Sequence, residues 1–304
     1  MFKKFKYLLI LAACFISAYS EVFTYEQALT NCDALNLHIQ SYGPDGRTHT
    51  LNKKGAASAS FDYAMRAFLK FSKGKEVLEI GGCYGDVMLQ ALKQSKDTKY
   101  VLSDLDARHL FIAAKCLAEK IQQNWLESSS ANQVKFAQAD ITDACEIQKL
   151  GLHDAIYVGE VFHFLTPDQL ELAVKHLFLL LKPNGRVYVT ALSPYLKHHE
   201  KFILEYERRV KSGEKYPGFT KSLRDYIKFD EITPLLITST LDGTFLFLDV
   251  KTLKEVFENN GFKVLECKFV PLSHKSKLWS YDGREYVIII AEKDAAPLNV
   301  VGHN

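Results

Sequence analysis

The chain has 304 residues, a length that suits about two domains or one large α/β domain with additions. At 47% hydrophobic and 24% charged, with mean hydropathy −0.09, it can bury a sizeable core, which excludes disordered, collagenous and coiled-coil chains. A net charge of +2 is too mild to predict a nucleic-acid partner, and without Lys3, Lys4 and Lys6 the balance is −1, 35 basic residues against 36 acidic.

Residues 1–20 read as a signal peptide: a basic stretch through Lys6, an apolar run from Tyr7 to about Ala18, then small Ala18 and Ser20 at the positions a signal peptidase reads. The run is shorter than the ~20 residues that span a bilayer, so no stable transmembrane span is expected and the chain reads as exported and secreted. Leu11-Ala12-Ala13-Cys14 resembles a bacterial lipobox, so lipid anchoring through Cys14 is one alternative. An uncleaved chain, cytoplasmic or membrane-tethered, is another. Residues 21–73 read as an N-terminal helical segment. Thr24-Tyr25-Glu26-Gln27 is a capping box, and Phe61, Ala64, Met65 and Phe68 mark a helix reaching Phe71.

From residue 74 to 292 short apolar runs alternate with amphipathic stretches, the order of a parallel sheet covered by helices. Strands are expected at Glu76–Ile80, Tyr100–Ser103, Val134–Ala137, Ala155–Val158 and Val187–Ala191. Helical spacing of Leu110, Ala113, Ala114, Leu117 and Ile121 follows Asp106, and that of Leu170, Ala173, Val174, Leu177 and Leu181 follows the capping box Thr166-Pro167-Asp168-Gln169. Pro183-Asn184-Gly185 reads as the turn into the fifth strand. An insertion over 194–248 reads as a helical cap. Its portion from Pro194 to Phe229 carries nine Lys/Arg and five Asp/Glu, with a basic helix through Glu200–Lys211. A helix from Asp249 to near Asn260-Gly261 then leads to strands at Phe262–Val270 and Arg284–Ala291. These are joined through Trp279, Tyr281, Asp282 and Gly283 and expected to pair antiparallel, before a tail at 293–304. Beyond Cys14, the cysteines at 32, 83, 116, 145 and 267 are odd in number, widely spaced and without a CxxC pair, which suggests neither a disulfide framework nor zinc. His198-His199-Glu200 lacks the i, i+4 spacing of a helical metal pair, so no metal is expected.

The densest signal is Val77-Leu78-Glu79-Ile80-Gly81-Gly82-Cys83-Tyr84-Gly85-Asp86. An apolar strand meets an acid and enters a glycine-rich turn before a helix, so the backbone can approach a ligand where the sheet opens. Acids recur just past the following strands: Asp104, Asp140 and Glu160. Over roughly residues 55 to 292 this pattern resembles the class I S-adenosylmethionine-dependent methyltransferases. Glu79-x-Gly81-x-Cys83-x-Gly85 is similar to their first motif, with Cys83 at the usual central glycine. Ser103-Asp104-Leu105-Asp106 resembles the acidic end of the second strand and Ala139-Asp140-Ile141 the adenine motif. His153 to Leu165 resembles the fourth strand with its outgoing loop, and Leu181-Lys182-Pro183-Asn184-Gly185-Arg186 the turn before strand five.

The resemblance implies a Rossmann-like, doubly wound, mostly parallel α/β sheet with a C-terminal antiparallel hairpin, N-terminal helices and a helical cap insertion. It implies S-adenosyl-L-methionine as methyl donor, bound over Glu79, Gly81, Gly82, Cys83, Gly85, Asp104, Leu105, Asp140, Ile141 and Glu160. In chemical terms Asp104 can accept from two vicinal ribose hydroxyls and Asp140 from an adenine amino group, while the Ile141 N–H donates to a ring nitrogen. Glu79 orients the glycine turn or meets the methionine amino group. Transfer of the methyl by in-line displacement needs alignment and exclusion of water, and a base only for a protonated acceptor. Candidate bases near the sheet's carboxyl edge are His163, Glu160, Tyr84, Asp62 and Tyr63, of which His163 and Tyr84 are the catalytic candidates. The acceptor, small molecule or protein, is unidentified. Three alternatives stay open: a non-catalytic donor-binding or interaction protein on the same fold, an NAD-dependent oxidoreductase, whose G-x-G-x-x-G spacing is absent, and an aminopropyltransferase.

Overall fold

A computed structural model describes residues 22–39, 47–52, 55–58, 62–226, 243–272 and 280–295. Residues 1–20, expected to be an export signal and including Cys14, lie outside the described residues, as do Phe61, Trp279, the last nine residues of the tail and part of the cap. No helix among the described residues is long and apolar enough to cross a membrane.

The strands are β1 (Val22–Phe23), β2 (Arg47–His49), β3 (Ala56–Ser58), β4 (Glu76–Ile80), β5 (Lys99–Asp104), β6 (Val134–Gln138), β7 (His153–Gly159), β8 (Leu181–Leu192), β9 (Phe219–Thr220), β10 (Phe245–Leu246), β11 (Phe262–Val270) and β12 (Tyr286–Lys293). The helices are α1 (Tyr25–Ala34), α2 (Tyr63–Phe71), α3 (Asp86–Gln94), α4 (Ala107–Gln122), α5 (Ala144–Ile147), α6 (Pro167–Leu180), α7 (Glu200–Lys211) and α8 (Val250–Asn259).

Eight strands form one sheet in the order β1-β6-β5-β4-β7-β8-β12-β11. The pairings from β6 through β8 are parallel, and β12 pairs antiparallel with both β8 and β11. This is the Rossmann-like doubly wound sheet with its C-terminal antiparallel hairpin. Strand alternation divides the core. Val77, Tyr100, Leu102, Ala155 and Tyr157 face α1 to α4, while Leu78, Ile80, Ile156 and Val158 face α6 and α8. Both faces are covered, so the strands read as apolar runs rather than as an alternation of apolar and polar residues.

Local chemistry sets the helix ends where the spacing predicts them. The Thr24 and Thr166 hydroxyls accept from the N–H groups of Gln27 and Gln169, whose side chains answer the cap backbone. Asp106 and Asp249 cap α4 and α8.

The structure departs from expectation in three places. The N-terminal segment is not purely helical: β1 pairs antiparallel with the β6 edge, and β2 and β3 make a separate hairpin. The chain turns at Pro183-Asn184-Gly185 as expected, but as an irregularity inside β8 rather than ahead of it, between the pairs Leu181–His153 and Arg186–Ala155. Asn184 takes up the surplus residues at φ 60°. The cap is not purely helical either, because β9 and β10 pair beside α7. Its apolar residues Tyr195, Phe202, Ile203, Tyr206, Phe245 and Phe247 form a third core.

Candidate functional site

The site is built where β4 ends. Gly81 and Gly85 have φ of 71° and 81°, in the left-handed region that glycine enters without strain. A Cβ on Gly81 would stand 2.3 Å from Val161 Cγ2, so the turn also needs the missing side chain. The turn is latched by its own backbone: Gly82 N–H donates to the Ser103 carbonyl at 3.0 Å and Gly85 N–H to the Gly82 carbonyl at 2.9 Å. Cys83 sits between them at φ 46°, and burial pushes its thiol pKa up, with Asp104 adding to the effect.

Asp104 organises this end of the sheet. Its Oδ2 accepts from the Cys83 N–H at 3.0 Å, and its Oδ1 from the Asp106 N–H at 3.0 Å and from His109 Nδ1 at 3.0 Å. A carboxylate offers about four lone-pair positions. Three donors therefore leave room for one further hydrogen bond rather than the two expected from a ribose diol. Leu105 follows on the exposed side, its carbonyl accepting from Gln138 Nε2.

Glu79 lies beneath the turn, 3% exposed, with Oε2 accepting from the Tyr100 hydroxyl at 2.7 Å. Burial pushes its pKa up to about 8, and Asp86 and Asp104 push in the same direction. Burial also raises Asp86. The carboxyl groups of Glu79, Asp86 and Asp104 lie within electrostatic reach of one another around the glycine turn.

At the end of β6, Asp140 Oδ1 accepts from both the N–H and the hydroxyl of Thr142, at 2.8 and 2.7 Å, and the Asp140 N–H donates to Glu146. The Ile141 carbonyl accepts from His176 Nδ1 at 2.7 Å. These bonds fix the segment's backbone while the Asp140 side chain remains half-buried.

The candidate bases are each engaged by protein groups. Asp62 caps α2 through the Met65 N–H and accepts from the Tyr157 hydroxyl at 3.0 Å, and burial raises its pKa. Tyr63 turns outward to Glu266, with Lys268 Nζ 3.8 Å from its ring centroid. Glu160, at φ 55°, accepts from the Tyr286 hydroxyl at 2.7 Å. His163, a candidate base at the sheet's carboxyl edge, lies in the single helical turn Phe162–Phe164. It is 4% exposed, stacked 4.9 Å from Phe245 in the cap. Tyr84 is equally buried, and its hydroxyl donates to the His49 carbonyl at 3.1 Å. The structure thus bonds the glycine turn to Asp104, sets Glu79 beneath that turn on Tyr100, places Asp140 and Ile141 at the next strand end, and stacks His163 on the cap's Phe245.

A family model described as a methyltransferase domain matches residues 54–267. The chain belongs to the methyltransferase-domain family. Among solved structures, a SAM-dependent methyltransferase from Methanosarcina mazei is 13% identical with TM-score 0.53, covering 78% of this chain and 100% of that one. A possible exported protein from Bordetella parapertussis is 14% identical with TM-score 0.50, covering 76% and 66%. An O-methyltransferase family protein from Burkholderia thailandensis, 13% identical with TM-score 0.47, covers 77% of this chain, which spans 56% of that protein. The chain therefore spans about half the length of some of these larger neighbours, and at such identities the likeness establishes the fold. No curated protein matches the chain.

Within this methyltransferase domain the sequence reading missed Tyr100, Tyr157 and His109. The two tyrosines sit in strands as ordinary apolar-face residues, so only the third dimension reveals that their hydroxyls meet Glu79 and Asp62. His109 carried a usable signal, since it stands three residues past the Asp106 cap, in the first turn of α4.

Proposed function

We propose that the protein is an S-adenosylmethionine-dependent methyltransferase that binds its donor at the carboxyl edge of β4, β5 and β6. The observation that carries this reading is the Cys83 N–H bond to Asp104, which locks the glycine turn against a carboxylate inside a methyltransferase domain. Asp104 would take a ribose hydroxyl, and Asp140 with the Ile141 backbone would take the adenine edge. Gly81 to Gly85 and Glu79 would receive the methionine end. Bound there, the donor would supply an electrophilic methyl group on a positively charged sulfur. The chain's own part is alignment and exclusion of water. With Asp62, Tyr63, Glu160, His163 and Tyr84 engaged or buried, the site favours an acceptor that is already nucleophilic over one needing deprotonation by the protein. The same engagement favours a second reading, donor binding without turnover. The export signal is carried by residues 1–20, and N-terminal sequencing of the mature chain decides whether cleavage follows Ser20, precedes Cys14 or does not occur.

Calorimetry of residues 21–304 with S-adenosylmethionine tests the donor site. Binding is expected, and Asp104→Ala and Asp140→Ala should each weaken it by about tenfold, the equivalent of ~1.4 kcal/mol from one charge-assisted hydrogen bond. Absence of binding by the wild-type chain refutes the reading. Formation of S-adenosylhomocysteine with cell extract as acceptor separates turnover from binding alone.

A further inference from the structure

Among the described residues the strands β2 and β3 pair with each other and lie outside the eight-stranded sheet. Its contacts fall on both sides of the crevice at the sheet's carboxyl edge. On one side Tyr84, from the glycine turn after β4, donates to the His49 carbonyl at 3.1 Å. The Leu51 N–H donates to Nε2 of His109, in the first turn after β5, at 3.1 Å. On the other side Gly55 abuts Phe164, which follows β7; a Cβ there would stand 3.2 Å from the ring. The hairpin thus crosses the ends of β5, β4 and β7.

His109 is 1% exposed and bonds through both ring nitrogens. A nitrogen that accepts from Leu51 carries no proton, so the neutral ring holds its proton on Nδ1 and donates it to Asp104. One imidazole therefore joins the hairpin backbone to the carboxylate assigned to the ribose. The Tyr84 ring stands edge-on to the imidazole, with centroids 5.6 Å apart, and restrains its rotation.

We propose that His109 is a positioning residue that clasps the β2–β3 hairpin as a strap across the bound donor nucleoside, tying strap closure to Asp104 so that the strap slows donor release. This deepens the donor-site reading and rests on it. Two near-isosteric variants separate the halves of the clasp. In His109→Asn an amide N–H can stand where Nδ1 stood, and the acceptor for Leu51 is lost. In His109→Gln an amide oxygen can stand where Nε2 stood, and the bond to Asp104 is lost. Leu51→Pro removes the same N–H from the strap side without touching the carboxylate.

The full chain and the two His109 variants are compared by amide hydrogen exchange at Leu51, with and without S-adenosylhomocysteine, and all three variants by stopped-flow release of that ligand. His109→Asn is expected to expose the Leu51 amide and speed release about fivefold, the effect of losing one hydrogen bond, with association unchanged. Leu51→Pro should match its release rate, and His109→Gln should keep Leu51 protected. Equal Leu51 exchange in wild type and His109→Asn overturns the clasp, and wild-type release rates in both His109→Asn and Leu51→Pro overturn the strap's role. If wild type binds no S-adenosylhomocysteine, the donor-site reading fails and takes the retention role with it, while Leu51 exchange in the free protein still judges the clasp alone.

Discussion

Cys83 holds a left-handed backbone conformation, φ 46°, that costs an L-residue roughly 1–2 kcal/mol. Cys83→Gly relieves that strain but adds freedom to the unfolded chain and removes a packed thiol, so its melting temperature should stay within a few degrees of wild type. Cys83→Val, β-branched at positive φ, should lower it clearly more. A pair of variants melting alike would show that the turn tolerates any side chain there. Glu79 gives a pH signature. Its carboxyl, raised by burial from 4.5 to about 8, binds a proton in the folded state at pH values where the unfolded chain has lost it. Folding stability from this group is complete below about pH 4.5 and is lost as pH rises through about 8. Glu79→Gln should therefore flatten the decline of melting temperature over that window in donor-free protein. Parallel curves for the two proteins would contradict the assignment.

At the scale of elements, boundaries set by local chemistry were legible and those set by partners were not. The capping boxes at Thr24 and Thr166 place helix starts to the residue, and Thr166→Ala should cost about 1 kcal/mol in denaturant unfolding. β4 was readable from Glu76 to Ile80 because it is buried on both faces and bounded by glycine. β1 was not readable: Val22–Phe23 is too short to show alternation and is a strand only because the β6 edge accepts it. Phe23 holds it there, its ring meeting Phe111 edge-on at 5.1 Å. Phe23→Ala should cost about 3–5 kcal/mol, and a loss below ~1 kcal/mol would show that the edge strand is not anchored by this pair.

At the scale of the whole molecule, buried neutral groups bracket the pH of greatest stability. Burial lowers His153 from 6.5 to about 4 and His199 from 6.5 to about 3. Their contribution is present above about pH 6.5 and is lost as pH falls and the unfolded chain takes up protons first. Glu79 acts oppositely on the alkaline side. Donor-free protein should therefore lose melting temperature as pH rises from ~6.5 to ~8, and a curve still rising to pH ~8 would contradict this balance. By itself the sequence determined the strand order's raw material, the glycine turn and the acids at successive strand ends, because each rests on residues adjacent in the chain. The tertiary structure alone decided that Asp104 is held by three donors, that His163 stacks on the cap, and that the β2–β3 hairpin reaches His109. Those contacts join residues far apart in sequence, and only the folded sheet brings them within hydrogen-bond range.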